Sequence, residues 1–558
     1  MKIFELLNKT AAVSGLGLAL LAAACSQGGG GSNPVVPPTG GGSGGTSPVW
    51  TQGTFVASSQ FEQRCENPRS GVDIEGTPFP DVQGSLAHEL FWLRSWTNET
   101  YLWNDEVVDR NPNTFSDRLA YFAVLKTDEI TASGKEKDDF HFSEPTEDFL
   151  EARNSAPRSG YGVRYIAIRT APPRDFRIGY TEAGSPAEAL SGGLPSFQRG
   201  ARILEVDGVD LVNAGSSAAV NALNAGLFPA TAGETHTFLV RETDGTERTV
   251  SVTSADVTQD PVRLTSVINT PTGDVGYILF NTFSPFSSEE AIVDAISAMD
   301  TAGVSDLVLD LRYNGGGLLA IAAQLSYMVA GDTPTVGRVF ENLQFNADAG
   351  GVNPVTGSSN NAVPFYSTGL GFSVTNGVPL DTLDLPRVFI LTTGDTCSAS
   401  EAVVNGLRGI GIEVILIGER TCGKPFGFYP TDNCGETYYT IQFQGVNDAG
   451  FGDYADGFVP TNSTAPFGVR TPGCSVEDDL TTPLGDPTEG LLAAALQFRE
   501  DGSCPPPASS SSPGVITLSA SVRAEGVEMD SLARARELIL TNRDLRMPNE
   551  SAEPWSEH

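Results

Sequence analysis

Apolar runs of strand length alternate with helix-length segments along residues 265–500, and this alternation constrains the fold more than any other feature. Strands are predicted at 275–280, 307–311, 387–391 and 413–417, and helices at 288–299, 318–328 and 399–407. Chains with this order build a parallel sheet covered by helices, so residues 257–503 are predicted to form an α/β core. The Asn-, Gly- and Thr-rich stretch 336–379 is predicted to be an irregular insertion.

The two stretches before this core have different patterns. Residues 50–157 are predicted to form a small helical domain that caps the core, because large apolar side chains recur at helical spacing over 85–126. Residues 158–256 contain short β-rich runs separated by turn residues, with one helix-like stretch at 216–225. The chain therefore predicts a helical part, a β-rich part and an α/β part, in that order.

Three segments of the predicted core carry residues that can do chemistry. The segment Leu309-Asp-Leu-Arg-Tyr-Asn-Gly-Gly-Gly317 passes from strand to helix, and its glycines expose backbone N–H donors. The segment Ser398-Ala-Ser-Glu401 also follows a strand and presents Ser398 at a helix N-terminus, although a helix cap explains the same residues. Gly423-Lys424 follows the next strand, where a lysine is commonly only solvated. Dinucleotide binding is the alternative for the glycines, but the G-x-G-x-x-G spacing is missing.

In this order, the three segments resemble the recurring motifs of the C-terminal processing (tail-specific) serine peptidases. The resemblance implies an α/β core of the crotonase-like or ClpP-like type and hydrolysis by a Ser–Lys dyad, with no metal or other cofactor. Ser398 would be the nucleophile and Lys424 the general base. The oxyanion donors would be the backbone N–H groups of Ala399 and Gly316, with Gly317 as the alternative to Gly316.

A Ser–Lys dyad requires a neutral amine, so the pKa of Lys424 has to fall from about 10.4 towards roughly 7. Because the acidic chain favours the ammonium form, desolvation in a closed apolar site has to dominate, and aromatic neighbours such as Phe426 can supply it. Phe428 stands where many members of the family have a glutamine that orients the lysine. Cys397, directly before Ser398, is an alternative nucleophile.

Two further blocks, 184–190 and 200–208, resemble a PDZ domain within the β-rich stretch. The carboxylate-binding loop of such a domain would fall at Tyr161, Gly162 and Val163. A PDZ sheet edge binds an extended peptide by main-chain pairing, and successive N–H groups bind its terminal carboxylate. The resemblance implies polypeptide substrates captured by a C-terminal or unfolded segment. A generic β-rich linker domain is the alternative.

The first residues are predicted to be a targeting signal. A basic start and an apolar run that ends in small residues before Cys25 are typical of a secretory signal peptide, here 1–24. Residues 20–25 resemble a bacterial lipobox, which implies lipidation of Cys25 and an outer-membrane anchor facing the periplasm. Ordinary cleavage with a free Cys25 is the alternative. Residues 25–48 are predicted to be a Gly/Ser/Pro tether, and 504–558 a Pro/Ser linker and tail.

The cysteines fit an oxidising compartment, which favours disulfides over metal ligation. Six of the seven cysteines remain once Cys25 is set aside. Local spacing predicts Cys422–Cys434 and Cys474–Cys504, which leaves Cys65 to pair with Cys397.

The charge balance excludes one class of partner. Lysine and arginine number 34 against 69 acidic residues, a net charge of −35, so the chain lacks the basic surface that nucleic acid requires. The predicted function is that of a lipid-anchored periplasmic endopeptidase. The alternatives are a non-catalytic peptide-binding scaffold of the same fold, an esterase-type hydrolase with the same Ser–Lys pair, and a structural surface lipoprotein.

Overall fold

The computed structural model describes residues 48–359 and 361–506. The predicted signal peptide, Cys25, nearly all of the tether and most of the C-terminal tail lie outside the described residues. Among the described residues, no helix combines the length and the apolarity that crossing a membrane requires.

Residues 48–157 form helices and short strands around an aromatic core. The elements are β1 (Arg64–Cys65), β2 (Val82–Gln83), α1 (Leu86–Thr100), α2 (Arg118–Phe122), β3 (Phe142–Pro145) and α3 (Thr146–Arg153). The helical spacing in α1 buries Leu90, Leu93 and Trp96 on one face, where they pack with Phe122 and with Tyr438 from far along the chain. This stretch is therefore anchored on the C-terminal part of the molecule.

Residues 158–257 form an antiparallel sheet with one helix. The elements are β4 (Arg158–Gly160), β5 (Val163–Arg169), β6 (Asp175–Thr181), β7 (Leu190–Ser191), β8 (Leu194–Pro195), β9 (Arg202–Val206), β10 (Val209–Asp210), α4 (Ser217–Leu227), β11 (Thr235–Arg241), β12 (Glu247–Thr253) and β13 (Ala255–Val257). The main strand order is β12-β11-β9-β6-β5, which leaves β5 at one edge. Strands β4 and β13 pair with each other where the chain enters and leaves this part, with Arg158 opposite Val257.

The C-terminal part contains the predicted α/β alternation. Its elements are β14 (Val262–Ile268), β15 (Val275–Phe280), α5 (Ser287–Ala302), β16 (Asp306–Asp310), α6 (Leu319–Ala330), α7 (Asp332–Thr335), β17 (Val339–Gln344), β18 (Ala362–Pro364), β19 (Arg387–Thr392), α8 (Ala399–Gly409), β20 (Glu413–Gly418), β21 (Phe426–Gly427), β22 (Thr431–Asn433), β23 (Glu436–Tyr439), β24 (Phe443–Val446), β25 (Phe458–Pro460), β26 (Val469–Thr471), β27 (Gly473–Ser475) and α9 (Gly490–Asp501).

The main sheet has the order β14-β15-β16-β19-β20-β27. All its neighbours pair in parallel except β14, which is antiparallel to β15. Alternate side chains of one strand enter different cores: Ile278 packs with α5, α6 and α8, while Tyr277 faces α9. Because both faces are covered, the strands are continuous apolar runs, which is why the sequence predicts them so directly.

Two expectations about this part were wrong. The stretch 336–379 is not wholly irregular, because β17 lies within it and pairs with both β18 and β24. The second error concerns the disulfides, two of which differ from the spacing-based prediction. Cys397 bonds to Cys422 and Cys65 bonds to Cys434, while Cys474–Cys504 agrees with the prediction.

The disulfide pattern follows from the sheet topology. Cys422 lies beyond the carboxyl end of β20, beside the loop that leaves β19, and its N–H donates to the Thr396 carbonyl at 3.1 Å. Cys434 lies in the tight turn between β22 and β23, and β23 pairs with β3 of the N-terminal stretch. Cys422 and Cys434 were predicted to pair because they are close in sequence. The prediction was wrong because the chain turns away between these two cysteines.

Candidate active site

Three loops leave the carboxyl ends of the adjacent parallel strands β16, β19 and β20 and meet at one edge of the main sheet. This edge is where open α/β sheets place their ligands. The loop after β16 carries the three glycines, the loop after β19 carries Ser398, and the loop after β20 carries Lys424. The topology thus brings together three segments that are spread over more than 100 residues of the chain.

Ser398 is fully buried and is the N-cap residue of α8. Its backbone has φ 58° and ψ −113°, a region that non-glycine residues rarely occupy and that costs on the order of 1–3 kcal/mol. A serine on such a strained strand-to-helix turn is the geometry of a nucleophile elbow. The Ala399 N–H group lies at the first position of the helix, where the free donors and the helix dipole favour negative charge.

The glycines of the β16 loop press against this turn. A Cβ atom on Gly316 would lie 2.8 Å from the Ser398 Cβ and 2.9 Å from the Ala399 nitrogen, so only glycine fits there. The Gly316 N–H already donates to the Asn314 Oδ1 at 2.9 Å. This bond occupies the donor that was expected to bind an oxyanion and leaves Gly317, the alternative, as the better candidate.

A buried guanidinium holds the base of the same loop. Arg312 is fully buried, donates to both carboxylate oxygens of Glu489 at 2.7 and 2.8 Å, and also bonds Asp310 and Asp478. Bidentate pairing of this kind fixes orientation as well as position. The Leu-Asp-Leu-Arg part of the motif therefore anchors the loop, and the glycines that follow reach the serine.

Lys424 is fully buried, with its ammonium or amine group against two phenyl rings. The Nζ atom lies 4.7 Å from the ring centre of Phe140 and 4.5 Å from that of Phe428. Phe428 is the residue that replaces the glutamine expected from the family pattern, and Phe140 comes from the N-terminal stretch. The apolar surroundings predicted for the lysine are present, but half of them come from a segment 284 positions earlier in the chain.

Glu401 links the serine loop to the lysine loop. Its Oε2 accepts hydrogen bonds from the backbone N–H groups of Ser398, at 3.0 Å, and Lys424, at 2.8 Å. Its Oε1 accepts from the Thr421 hydroxyl at 2.5 Å and the Gly423 N–H at 2.8 Å. Burial raises the pKa of Glu401, and these hydrogen bonds oppose that rise. Four donors on two oxygens match a carboxylate, which only accepts.

The Cys397–Cys422 disulfide makes a second, covalent link between the two loops. With Glu401, these cysteines offer three ligand atoms within 4.8 Å of one another, a grouping that can hold a metal. Bonded to each other, however, the sulfurs are not the thiolates that zinc requires. The disulfide also removes the thiol of Cys397, so the alternative of a cysteine nucleophile is wrong for the oxidised chain.

Lys135 adds a contact from the N-terminal stretch. Its Nζ donates to the Cys422 carbonyl at 2.6 Å, and burial lowers the pKa of this lysine. Sequence reasoning missed Lys135, gave Phe140 no role, and took Glu401 only for a helix-capping residue. The Ser-x-x-Glu spacing was the available signal for Glu401.

The three residues predicted to bind a peptide carboxylate lie at the start of β5 and directly before it. Tyr161 is buried and its hydroxyl donates to the Gly226 carbonyl at 2.9 Å. Gly162 has φ 72°, and Val163 pairs with Thr181 of β6. The next residue of β5, Arg164, forms an ion pair with Asp395 of the serine loop at 3.1 Å. The edge strand and the loop that carries Ser398 are therefore in direct contact.

The sequence profile described as Peptidase family S41 matches residues 274–428, a range that includes the glycines, Ser398 and Lys424. A "Carboxyl-terminal-processing protease" of Picosynechococcus sp. is 30% identical over 279 residues, which cover 49% of this chain and 56% of the relative. A "C-terminal processing peptidase, chloroplastic" of Tetradesmus obliquus is 28% identical over 188 residues, covering 32% of this chain and 34% of the relative. The chain thus spans about half or less of the length of these curated relatives.

The fold is similar to that of a solved structure. A Bacteroides fragilis protein assigned to the S41 proteases superposes with a TM-score of 0.54 and 23% identity, over 76% of this chain and 98% of the other. The mixed α/β architecture is therefore that of an S41 protease.

Proposed function

We propose that this chain, a homologue of the carboxyl-terminal-processing proteases of peptidase family S41, is a serine endopeptidase with a Ser398–Lys424 dyad. One observation carries the proposal. A strained, buried serine and a buried lysine have their backbones bonded to the same carboxylate oxygen, with the lysine between two phenyl rings. A buried lysine in an apolar pocket favours its neutral form, which is the form that a general base requires.

In the proposed reaction, the Lys424 amine takes the proton from the Ser398 hydroxyl as the oxygen attacks a peptide carbonyl. The N–H groups of Ala399 and Gly317 donate to the oxyanion of the tetrahedral intermediate. The Lys424 ammonium then gives its proton to the departing amine, which leaves an acyl ester on Ser398. A water molecule hydrolyses this ester with the lysine again as base, and both residues return to their starting forms.

We further propose that the β-rich stretch is PDZ-like and captures a substrate's C-terminal segment along β5. An edge strand offers the main-chain groups that pair with an extended peptide, and Gly162 supplies a turn at its start. We expect a peptide with a free C-terminal carboxylate to have a KM about tenfold below that of its C-terminal amide. Equal KM values for the two peptides would contradict capture by carboxylate recognition.

An envelope location, with a lipid anchor at Cys25, is part of the same proposal. It is supported by the lipobox-like residues 20–25 and by three disulfides among the described residues, which persist in oxidising compartments. Metabolic labelling with a fatty-acid analogue should mark the wild-type chain and leave Cys25→Ala unmarked.

The dyad is tested with a fluorophosphonate probe and a peptide-library digest. We expect covalent labelling at Ser398, and loss of both labelling and peptide cleavage in Ser398→Ala. Lys424→Met, which keeps the length of the side chain without the amine, should lower cleavage by at least about a thousandfold. Full-speed cleavage by Lys424→Met would refute the dyad.

The same assays separate the alternatives. A folded wild-type chain that is neither labelled nor active on peptides would be a binding scaffold. Turnover of simple esters without turnover of any peptide would indicate an esterase-type hydrolase.

A further inference from the structure

We propose that the Cys397–Cys422 disulfide is a positioning element of the active site, and that peptide turnover depends on this bond being closed. The inference rests on the proposed function of Ser398 and Lys424. It assigns a role in catalysis to two cysteines that are not among the motif residues.

The Cys397–Cys422 bond lies close in sequence to both proposed catalytic residues. Cys397 directly precedes Ser398, and Cys422 lies two residues before Lys424. The bond joins two loops beyond the point where the pairing of β19 with β20 ends, at Thr392 and Gly418. There it adds a covalent link to the hydrogen bond between the Cys422 N–H and the Thr396 carbonyl. Reacting groups misplaced by about 1 Å lose on the order of a hundredfold in rate.

Glu401 also links these two loops. The Sγ of Cys422 lies 3.4 Å from the same Oε2 that accepts from the Ser398 and Lys424 backbone N–H groups. In the disulfide this sulfur has no proton to donate. Reduction adds an S–H group beside the carboxylate, where it competes with those two N–H donors.

The Cys397–Cys422 bond can be reached by a small thiol. Cys397 is buried, but Cys422 is only half-buried, so a small thiol can attack the bond from the Cys422 side. A dithiol reductant supplies two electrons and two protons by thiol–disulfide exchange. Both cysteines become thiols, and the reductant becomes a cyclic disulfide.

The test compares three oxidised chains before and after a dithiol: wild type, the double variant Cys397→Ala/Cys422→Ala, and the control Cys474→Ala/Cys504→Ala. The control lacks the bond between β27 and the residues after α9, which joins neither the serine loop nor the lysine loop. We expect reduction to lower kcat of wild type and control about 10- to 100-fold with KM changed less than about twofold. Air oxidation should restore both, and the double variant should have the low kcat with or without the dithiol.

The outcomes separate this inference from the proposed function. If oxidised wild type cleaves peptides and kcat stays the same in the reduced chain, with mass spectrometry showing both thiols free, the positioning role is refuted. If oxidised wild type neither cleaves peptides nor reacts with the fluorophosphonate, the proposed function itself fails. Circular dichroism on the double variant distinguishes lost positioning from lost folding. Should that variant unfold, kcat and KM of the partially reduced wild type, with its fold intact, decide the question.

Discussion

Ser398 has a strained backbone and is completely buried. Glu401 is the residue that holds it in this conformation. The carboxylate accepts the Ser398 N–H while it also accepts three donors from the lysine loop. Strain at a single residue persists only where its surroundings over-determine it. We therefore regard Glu401 as a positioning residue, since its hydrogen bonds join the loop of Ser398 to the loop of Lys424.

Replacing Glu401 with glutamine is expected to impair turnover. An amide has one accepting oxygen, so its NH₂ group would face two of the four donors and leave buried groups unsatisfied, at about 1–3 kcal/mol each. We expect kcat to fall about 10- to 100-fold and the melting temperature to drop by several degrees. Steady-state kinetics and calorimetry measure the two effects. Glu413→Gln, an exposed change on β20, is the matched control and should alter neither.

Phe428 leads to a prediction about pH. A ring centre 4.5 Å from the Nζ of the buried Lys424 attracts the ammonium form by about 2 kcal/mol, which corresponds to about 1.5 pH units. Phe428→Leu keeps the pocket apolar but removes this attraction. We expect the acid limb of the kcat/KM profile to move to lower pH by about that amount. A shift to higher pH would mean instead that the ring acts mainly by excluding water.

At this scale the sequence predicted the motif residues and missed their environment. Ser398, Lys424 and the glycines are recognisable because each motif is contiguous. Phe140 and Lys135 contact the lysine loop from the other end of the chain, and only the folded topology brings them there. The sequence favoured Gly316 over Gly317 as an oxyanion donor because it cannot show that the Gly316 N–H already donates to Asn314.

Among the elements, β3 and α2 hold a buried histidine that makes stability depend on pH. His141 packs against the ring of Phe122, with ring centres 3.9 Å apart, and burial lowers the pKa of His141 from 6.5 to about 4. Between these values the unfolded chain binds a proton that the folded chain does not. The stabilisation that neutral His141 gives the folded state is therefore fully present above pH 6.5. It is lost as the pH falls towards 4, and the total loss is about 3 kcal/mol.

Urea unfolding of wild type and His141→Gln at several pH values between 4 and 7.5 tests this prediction. The difference in unfolding free energy between the two chains should favour wild type at pH 7.5 and shrink steadily as the pH falls. The comparison is made at each pH because Glu144, whose pKa burial raises to about 7, acts in the opposite direction over the same range. A difference that is constant with pH would show that His141 does not titrate as described.

The elements also show which local patterns suffice for prediction. Strands β15, β16, β19 and β20 were predicted within two residues because they are buried on both faces. Strand β17 was missed because it mixes buried and exposed residues, with a buried glutamate, and because its partner, β24, begins about 100 residues later. The wrong cysteine pairs have the same cause, because strand pairing and not distance along the chain decides which cysteines lie close in space.

For the whole molecule, the bond between Cys65 and Cys434 matters most, because it joins residues 369 positions apart. It ties the N-terminal stretch, which supplies Phe140 and Lys135, to the part that carries Lys424. The double variant Cys65→Ala/Cys434→Ala is expected to lose about 2–5 kcal/mol of unfolding free energy. It should also be cut faster by trypsin within residues 48–157 than wild type. Denaturant unfolding and limited proteolysis measure these effects, and identical cleavage patterns would contradict the prediction.

The pairing of β4 with β13 has a consequence for how such a chain can be rebuilt. Entry and exit of the β-rich stretch lie side by side, with Gly160 opposite Ala255 and Arg158 opposite Val257. The chain enters and leaves this unit through one antiparallel strand pair. The unit can therefore be excised and a short turn can close the gap without rerouting any strand of the main sheet, with loss of contacts such as the Arg164–Asp395 ion pair. The same pair of strands would accept a foreign module with neighbouring termini, so the β-rich unit can be exchanged without changing the order of the main sheet.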